Sequence, residues 1–437
     1  MEATGSPSTN GASKTLPSTK STAATRWIRS QAVNARRHFD ALRPFRNDEF
    51  GTGPESPSEA HIKSANELIT VLRTRLERRT RRVNAVTAAA LRQPTTPRLQ
   101  LLVRAKESAH GATHATERVW DFYLELFGQR QSVFGTWLLS CDRIAQHCYQ
   151  AAYTGLGQAR SIPTPPPFCY MRTGFSPATF RRGIPLRRLG LKLNPFPLIQ
   201  IPYHRLVNPW TLGAILHEVS HNLQNDLGLA RLIPQRIGQT LLRAGCGRAV
   251  AAVWSRWNRE TFADLSALLL GGPAVVASLM DIIGRSPETV KTFNPRGPHP
   301  TPYLRAFLSI ELLRRLGFAE HADQYRRLWM RMYPNPRSGT IPAAILDSFP
   351  TVCRLVVDAI CFQPYEPLGN KTYAEVIPFG MKEQQMIREA AGRLASGTDP
   401  GIIPERYLIG AARMAMDRKL ASPEAITQAF YHELTRR

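Results

Sequence analysis

The chain has 437 residues, 43% of them hydrophobic, so it is long enough to bury the core of one large domain or of two ordinary ones. No run of about 18 apolar residues occurs, which argues against a membrane-spanning helix, and the N-terminus lacks the apolar segment of a secretory signal. We therefore expect a soluble, cytoplasmic protein.

The formal net charge is +24, and the basic residues are 48 Arg and 9 Lys. This excess is compatible with nucleic acid or an anionic surface as a partner. The first 110 residues hold 19 basic and 9 acidic residues, so the excess is not confined to one segment. We therefore favour a compositional bias toward Arg over a dedicated anion-binding module.

Six cysteines are scattered along the chain without a CxxC pair. They are Cys141, Cys148, Cys169, Cys246, Cys353 and Cys361. This pattern favours reduced and mostly buried thiols over disulfides or a zinc ribbon.

The N-terminal segment is poor in apolar periodicity. Ser, Thr, Ala and Gly dominate residues 1–25, and a cluster of Pro, Gly and Ser occupies residues 47–58. Residues 1–59 are therefore predicted to be a largely disordered, basic segment.

Residues 60–160 are predicted to form a helical N-terminal region. Apolar residues near helical spacing predict a helix over 60–91, and an aromatic-rich stretch predicts a further helical segment over 117–153. The polar face of the first helix carries six arginines, namely Arg73, Arg75, Arg78, Arg79, Arg81 and Arg82. We interpret this face as solvated, with an anion-binding stripe as the alternative.

Residues 161–320 are predicted to form the core domain, and residues 321–437 a helical C-terminal region. Short apolar runs bounded by Gly and Pro predict strands of a small sheet at 168–171, 184–186 and 198–201. Amphipathic helices are expected near the C-terminus at 381–394, 405–416 and 423–434. The predicted fold class is therefore mainly α with a small β-sheet (α+β).

The segment that follows Asn208 carries a candidate metal site. Asn208 is a suitable N-cap and Pro209 suits the first helical position, so a helix is expected to begin there. On that helix His217 and His221 are four residues apart and project from one face, where two neutral imidazoles can hold one Zn²⁺. Glu218 would then stand beside a water on the metal and can take its proton.

A third ligand is expected from a second helix, predicted over 248–270. Glu260 and Asp264 share one face of this helix and are flanked by apolar residues, where carboxylates are costly without a cation. Glu260 as a metal ligand and Asp264 as the acceptor of an imidazole N–H explain both. The alternative is an exposed acidic patch on a surface helix.

These motifs resemble those of the gluzincin metallopeptidases, most closely the family of the HtpX protease and the CAAX prenyl endopeptidase. The resemblance rests on His217–His221, on Glu260–Asp264 and on a later His-Pro element at His299, and it covers about residues 165–320. It implies a zincin-like metalloprotease core flanked by N- and C-terminal helices. It also implies one zinc ion held by the two histidines and Glu260.

The same resemblance implies that Glu218 acts as general base and then passes its proton to the leaving amine. Relatives with this pattern are often embedded in membranes, whereas this chain has no convincing span, so their substrates do not transfer.

The loop around His299 is a candidate for binding the oxyanion that develops during hydrolysis. Thr301 can cap, and Pro302 can start, a helix that ends near Gly317. His299 is the first candidate, followed by Tyr303 and Arg305. The alternative is a set of loop residues that fix a turn, with an Arg that pairs with a nearby carboxylate.

Residues 198–203 read as a strand just before the two-histidine helix. The gluzincin resemblance implies an edge strand there, which holds an extended peptide by backbone pairing. Pro202 is tolerable at an edge or at the end of a strand. We expect His204, which lies outside both ligand helices, to be a rim residue and not a ligand.

Three functions compete. The favoured one is a zinc metallopeptidase that acts on a peptide or protein substrate. The alternative is a non-catalytic protein that binds nucleic acid or another polyanion on a zincin scaffold, using its basic surface. A purely structural zinc protein is disfavoured by Glu218, which is not a ligand, and by the three-ligand pattern, because structural sites are usually closed by four protein ligands.

Overall fold

The computed structural model describes residues 22–157 and 161–437, and it is mainly helical with a small sheet. The helices are α1 (Ala23–Ala41), α2 (Glu59–Arg92), α3 (Thr96–Gly128), α4 (Gly135–Gly155), α5 (Tyr203–Leu206), α6 (Gly213–Asp226), α7 (Leu232–Arg243), α8 (Arg248–Arg256), α9 (Asn258–Gly271), α10 (Pro273–Ile283), α11 (Pro287–Val290), α12 (Pro302–Arg315), α13 (Ala319–Met332), α14 (Ala343–Val357), α15 (Tyr373–Val376), α16 (Met381–Ala395), α17 (Leu408–Asp417) and α18 (Pro423–Arg436). The strands are β1 (Phe168–Met171), β2 (Ala178–Phe180), β3 (Pro185–Leu186), β4 (Lys192–Leu193), β5 (Leu198–Ile201), β6 (Pro364–Tyr365) and β7 (Lys371–Thr372). The predicted fold class, mainly α with a small β-sheet, is thereby confirmed.

The chain divides into two compact units. Among the described residues, one unit consists of 22–44 together with 68–120, and the other of 45–67 together with 121–157 and 161–437. Helices α2 and α3 contribute residues to both. This division differs from the four consecutive regions predicted from the sequence, because the last helices share a core with the helices of the candidate site.

The first unit contains α1 and most of α2 and α3. A small core of aliphatic side chains holds them together, formed by Ile28, Ala35, Val83, Ala90, Leu102, Ala105 and Ala109. The expectation of disorder up to residue 59 is wrong where the structure describes the chain. Residues 23–41 form a helix because they present a periodic apolar face with Ile28 and Ala35 buried. Residues 1–21 lie outside the described part.

The second unit contains one large apolar core with the helices α4–α18 around it. Its three-stranded sheet has the order β1–β5–β2, with β1 parallel and β2 antiparallel to β5. The predicted strands at 168–171 and 198–201 are confirmed, and the run at 184–186 contributes the short strand β3, which pairs with β4.

The last helices of the chain belong to this same core. The buried guanidinium of Arg406 donates to the carbonyl of Leu270 at the end of α9 (2.8 Å) and contacts His147 Nδ1 on α4 (2.8 Å). The three amphipathic helices predicted near the C-terminus appear as α16, α17 and α18.

Several predicted helix boundaries need correction. The segment 117–153 is broken between α3 and α4, and the helix predicted over 248–270 is broken between α8 and α9 at Trp257, which is fully buried. Asn208 makes no side-chain capping bond, and it precedes only a single 3₁₀ turn, at residues 209–211, before α6 begins. Thr301 starts α12 without a side-chain capping bond, so Pro302 alone matches the predicted helix start.

All six cysteines are free, and five of them are buried, as predicted; Cys246 is partly exposed.

Among the helices of the described ranges, none combines the length and the apolar character needed to cross a lipid bilayer.

Candidate metal centre

The candidate ligands come from two packed helices, α6 and α9. Ser220 on α6 donates to Ser266 on α9 (2.7 Å), and the Ser266 hydroxyl also contacts the hydroxyl of Tyr373 (2.7 Å). All three groups are buried. Small hydroxyl side chains at this crossing allow close approach of the two helices while keeping each polar group hydrogen-bonded. The histidines of α6 and the carboxylates of α9 consequently face one another.

His217, His221 and Glu260 bring one ligand atom each to within 4.8 Å of one another. The Nε2 atom of His217 is 3.4 Å from Glu260 Oε2, and Nε2 of His221 is 3.5 Å from Glu260 Oε1. Ligand atoms at about 2.0–2.2 Å around a tetrahedral zinc ion lie roughly 3.3–3.5 Å apart. The two distances between histidine and carboxylate lie in this range but involve different oxygens of Glu260, so the three residues could hold a metal ion.

A second carboxylate orients the first histidine. His217 Nδ1 donates to Asp264 Oδ1 at 2.9 Å, which leaves Nε2 directed toward Glu260. Asp264 is itself held by Arg305 of α12, whose Nε and Nη2 atoms donate to its two oxygens at 2.8 Å each. The structure thus brings Asp264 to the place predicted for it, and its side chain is only 1% exposed. The alternative of an exposed acidic patch on α9 is wrong, because the side chains of Glu260 and Asp264 are 12% and 1% exposed.

Glu218 lies next to the ligands in the same cavity and is 8% exposed. Burial raises the pKa of Glu218 to about 7, although the charges of His217 and Arg305 and a hydrogen bond from the backbone N–H of Thr179 oppose this rise. A carboxyl group with a pKa near neutrality can both accept and return a proton at physiological pH.

The ligands influence one another strongly. Burial acts to lower the pKa of His217, but its hydrogen bonds with Asp264 and Glu260 outweigh burial and raise the pKa to about 10. Burial and the charge of His217 lower the pKa of His221 to about 3. Burial opposes ionisation of Glu260, but its bond with His217 and the charge of His221 hold its pKa well below the usual range. Protonated His217 therefore forms ion pairs with both Glu260 and Asp264.

His299 reaches this cluster from the loop before α12. Its Nε2 atom is 3.2 Å from Glu260 Oε2, and its side chain is 58% exposed on the cavity wall. The place predicted for an oxyanion-binding group is thus occupied by a ring that remains accessible to a bound molecule. Its catalytic role stays a prediction.

The two weaker candidates for that role lie elsewhere or are already engaged. Tyr303 packs on Phe307 in the core, with ring centres 5.1 Å apart, so its position does not match that prediction. Arg305 is paired with Asp264, which is the alternative considered for it. His204 is exposed on α5 and is not part of the ligand cluster, as expected.

The edge strands of the sheet are β1 and β2, not β5. Strand β5 is central because β1 and β2 pair with its two edges, so the predicted edge role of residues 198–201 is wrong. Strand β2 is only three residues long, and no apolar run marks it in the sequence. Ala178 and Thr179 of β2 line the cavity, and Asn222 of α6 holds this strand by donating to Thr179 Oγ1 (2.9 Å).

The cavity around the cluster has a volume of about 430 Å³. Its wall combines the candidate ligands with an apolar surface from α6, α9 and α10 and with two arginines besides Arg305, namely Arg181 and Arg259. The sequence reasoning missed these arginines because they are two among 48, and nothing in their local pattern distinguishes them.

No protein-family model, no curated protein and no solved structure matches the chain.

Proposed function

We propose that the protein is a zinc-dependent peptidase with a zincin-like core, in which His217, His221 and Glu260 hold the metal. The observation that carries this proposal is the convergence of three ligand atoms within 4.8 Å beside the buried carboxyl of Glu218, which is not a ligand. A site with three protein ligands and an adjacent base is typical of catalytic zinc, whereas structural sites are closed by four protein ligands.

Bound zinc would supply a Lewis acid that polarises a carbonyl group and acidifies water. The residues of the chain supply the proton transfers. Glu218 takes one proton from the attacking water as its oxygen bonds to the carbonyl carbon, and delivers it to the nitrogen as the C–N bond breaks. His299 is placed to donate a hydrogen bond to the oxygen that becomes negative.

Strand β2 supports a peptide as the substrate. Within the described part of the chain its outer edge has no strand partner, and its residues line the cavity that holds Glu218. An extended peptide can bind such an edge by backbone hydrogen bonds. This orientation would place successive peptide bonds along the metal cluster.

The test is cleavage of a peptide library by the zinc-loaded protein. We expect hydrolysis, and a loss of about 10²- to 10⁴-fold in kcat for Glu218→Gln, because that variant keeps the ligands but cannot take a proton. Glu389→Gln, an exposed residue on α16, is the control and should hydrolyse like the native protein. Absence of zinc-dependent hydrolysis, or equal rates in Glu218→Gln, would refute the peptidase assignment.

A separate observation favours a second function, the binding of a polyanion by the first unit. Four exposed arginines at helical spacing on α2 line a groove of about 640 Å³ together with small residues of α3. They are Arg75, Arg78, Arg79 and Arg82. Residues 22–44 and 68–120 together hold 16 basic and 4 acidic residues, so little charge opposes them.

This second function is tested by the salt dependence of binding to a short DNA duplex. Replacing the four groove arginines by Gln should weaken binding and reduce the slope of log K against log salt by about 3–4. The control replaces four exposed arginines outside the groove, namely Arg243, Arg248, Arg327 and Arg331. Equal losses in both variants would indicate attraction by net charge alone.

A further inference from the structure

Two arginines stand in the wall of the metal cavity. Arg181 directly follows strand β2 and is half-buried, while Arg259 directly precedes Glu260 on α9 and is exposed. Both line the same cavity as His217 and Glu218. A molecule that fills this cavity would therefore meet a wall that includes both arginines.

A buried amide side chain fixes the backbone at Arg181, and another bonds the side chain that precedes Arg259. The Nδ2 atom of Asn194 donates to the carbonyls of Phe180 (2.8 Å) and Arg181 (3.2 Å). At the other arginine, Gln224 of α6 donates to Oδ1 of Asn258 (3.0 Å), the residue before Arg259. Both amides are at most 2% exposed. The backbone that carries Arg181 is therefore held in place before a ligand binds.

Neither guanidinium forms an ion pair with any other described residue. The three carboxyl groups of the cavity are used elsewhere: Glu260 contacts the histidines, Asp264 pairs with Arg305, and Glu218 is buried beside the ligands. Burial and the charge of Arg259 both lower the pKa of Arg181, with partial compensation from Asp226. Two like charges that line one cavity and form no ion pair with a described residue favour the binding of an anion.

The rest of the wall is apolar. Ala214 of α6, Leu268 of α9 and Val275, Leu279 and Ile282 of α10 form a continuous lining beside the metal cluster. A substrate that fills the cavity would therefore present an apolar side chain to this lining and an anionic group to the arginines.

We propose that Arg181 and Arg259 form a subsite for a carboxylate of the substrate, adjacent to an apolar side-chain pocket. The substrates are then short peptides whose carboxylate is either the free C-terminus or the side chain of Asp or Glu. This inference rests on the proposed peptidase function and adds the class of substrate to it. The reaction consumes one water per amide bond and releases a carboxylic acid and an amine, so no co-reactant is required.

The first measurement uses peptide pairs with the zinc-loaded full chain. Acetyl-Ala-Leu with a free carboxylate is compared with its C-terminal amide, and acetyl-Ala-Glu-amide with acetyl-Ala-Gln-amide. We expect kcat/KM to favour one charged member, which identifies the source of the carboxylate. Arg181→Gln and Arg259→Gln should each reduce that preference about 10- to 100-fold, mainly through KM, because each removes a charged hydrogen bond.

The control for these variants is Arg256→Gln, which removes an equal charge from an exposed position on α8 outside the cavity. It should retain the preference of the native protein. Hydrolysis of the charged and neutral members at equal rates, or an unchanged preference in the double variant Arg181→Gln/Arg259→Gln, would overturn the subsite while leaving the peptidase assignment intact.

The second measurement does not depend on turnover. Binding of the same four peptides to zinc-loaded Glu218→Gln is measured by calorimetry. Tighter binding of a charged member that is lost in the Arg181→Gln background supports the subsite even where the native protein cleaves nothing, in which case only the peptidase assignment fails. Equal binding of charged and neutral peptides, or no binding of any, overturns the subsite.

Discussion

Asp264 connects the first metal ligand to a buried cation. It accepts a hydrogen bond from His217 Nδ1 on one side and two from Arg305 on the other, and none of the three side chains is more than 17% exposed. Its negative charge fixes the orientation of the imidazole, and Arg305 fixes Asp264. The ligand geometry therefore depends on a residue that does not itself reach the metal position.

Asp264→Asn should weaken zinc binding about 10- to 100-fold, because the amide cannot hold the imidazole of His217 as a carboxylate does. Competition with a chromophoric chelator measures this affinity. The control is Asp323→Asn on α13, a half-exposed residue that pairs with Arg314 and should leave the affinity unchanged. Equal affinity in Asp264→Asn and the native protein would contradict the orienting role.

Arg305→Leu should lower the free energy of unfolding by about 3–5 kcal/mol, because it leaves Asp264 buried without its cation. Urea unfolding of the metal-free protein measures the change. Arg314→Leu, which breaks a surface ion pair, should cost no more than about 1 kcal/mol. Similar decreases in the free energy of unfolding in the two variants would show that the ion pair with Asp264 stabilises the fold no more than a surface ion pair does.

The raised pKa of His217 makes zinc binding dependent on pH. With a pKa near 10, His217 of the metal-free protein carries a proton at about pH 8, while His221 and Glu218, with pKa values near 3 and 7, do not. Ligation requires the neutral imidazole, so binding at about pH 8 should release about one proton per zinc, and the apparent affinity should rise with pH toward the pKa of His217. Calorimetry in buffers of different ionisation enthalpy measures this release, and a binding enthalpy independent of the buffer would contradict it.

The ligands were predictable at this scale because helical spacing alone brings residues four apart onto one face. The pairing of His217 with His221, and of Glu260 with Asp264, could therefore be predicted without knowledge of the fold. The partner of Asp264 was harder to predict, because Arg305 is one of many arginines and only the packing of α12 brings it to Asp264. Tyr303 shows the limit of reasoning from sequence position. Arg305, two residues later, contacts Asp264, whereas Tyr303 packs on Phe307 in the core.

At the scale of elements, the crossing of α6 and α9 decides whether the ligands meet. Its contact is made by small hydroxyl side chains, Ser220 and Ser266, and extends to Tyr373. A larger side chain at this point would separate the helices and with them the histidines from Glu260.

Ser266→Leu should therefore destabilise the fold by about 1–3 kcal/mol through overpacking and weaken zinc binding together with it. Ser266→Ala, which removes the hydroxyl without adding volume, should cost stability but retain the zinc affinity. Urea unfolding and chelator competition on both variants test this, and a Leu variant with native zinc affinity would contradict the role of the crossing.

The elements themselves were only partly predictable. Strands β1 and β5 stood out as short apolar runs between Gly and Pro, whereas β2 has three half-buried residues and no such pattern. The edge of the sheet was consequently assigned to the wrong strand. The break between α8 and α9 was missed because it falls at a buried Trp257, where no Gly or Pro marks it.

At the scale of the whole molecule, the core that supports the site extends beyond the segment that carries it. Side chains of α4 and of the helices from α14 onward belong to the same apolar cluster as α6, α9 and α12. The predicted core domain covers residues 161–320, but the observed core depends on long-range packing that helical periodicity does not report.

The fragment 161–320 produced alone should therefore fail to unfold cooperatively and should not bind zinc tightly, since much of its apolar surface would be exposed. Circular dichroism during thermal unfolding and chelator competition compare it with the full chain. A fragment with a sharp transition and native zinc affinity would show that the C-terminal helices are dispensable for the site.

The central claim is that His217, His221 and Glu260 form a zinc centre, and elemental analysis of the purified full-length protein after zinc loading and removal of free metal tests it most directly. The account predicts about one zinc per chain in the native protein, in Glu218→Gln and in the control His204→Ala, and loss of that zinc in His217→Ala and His221→Ala. A folded native protein without zinc, or full zinc content in His217→Ala, would contradict it.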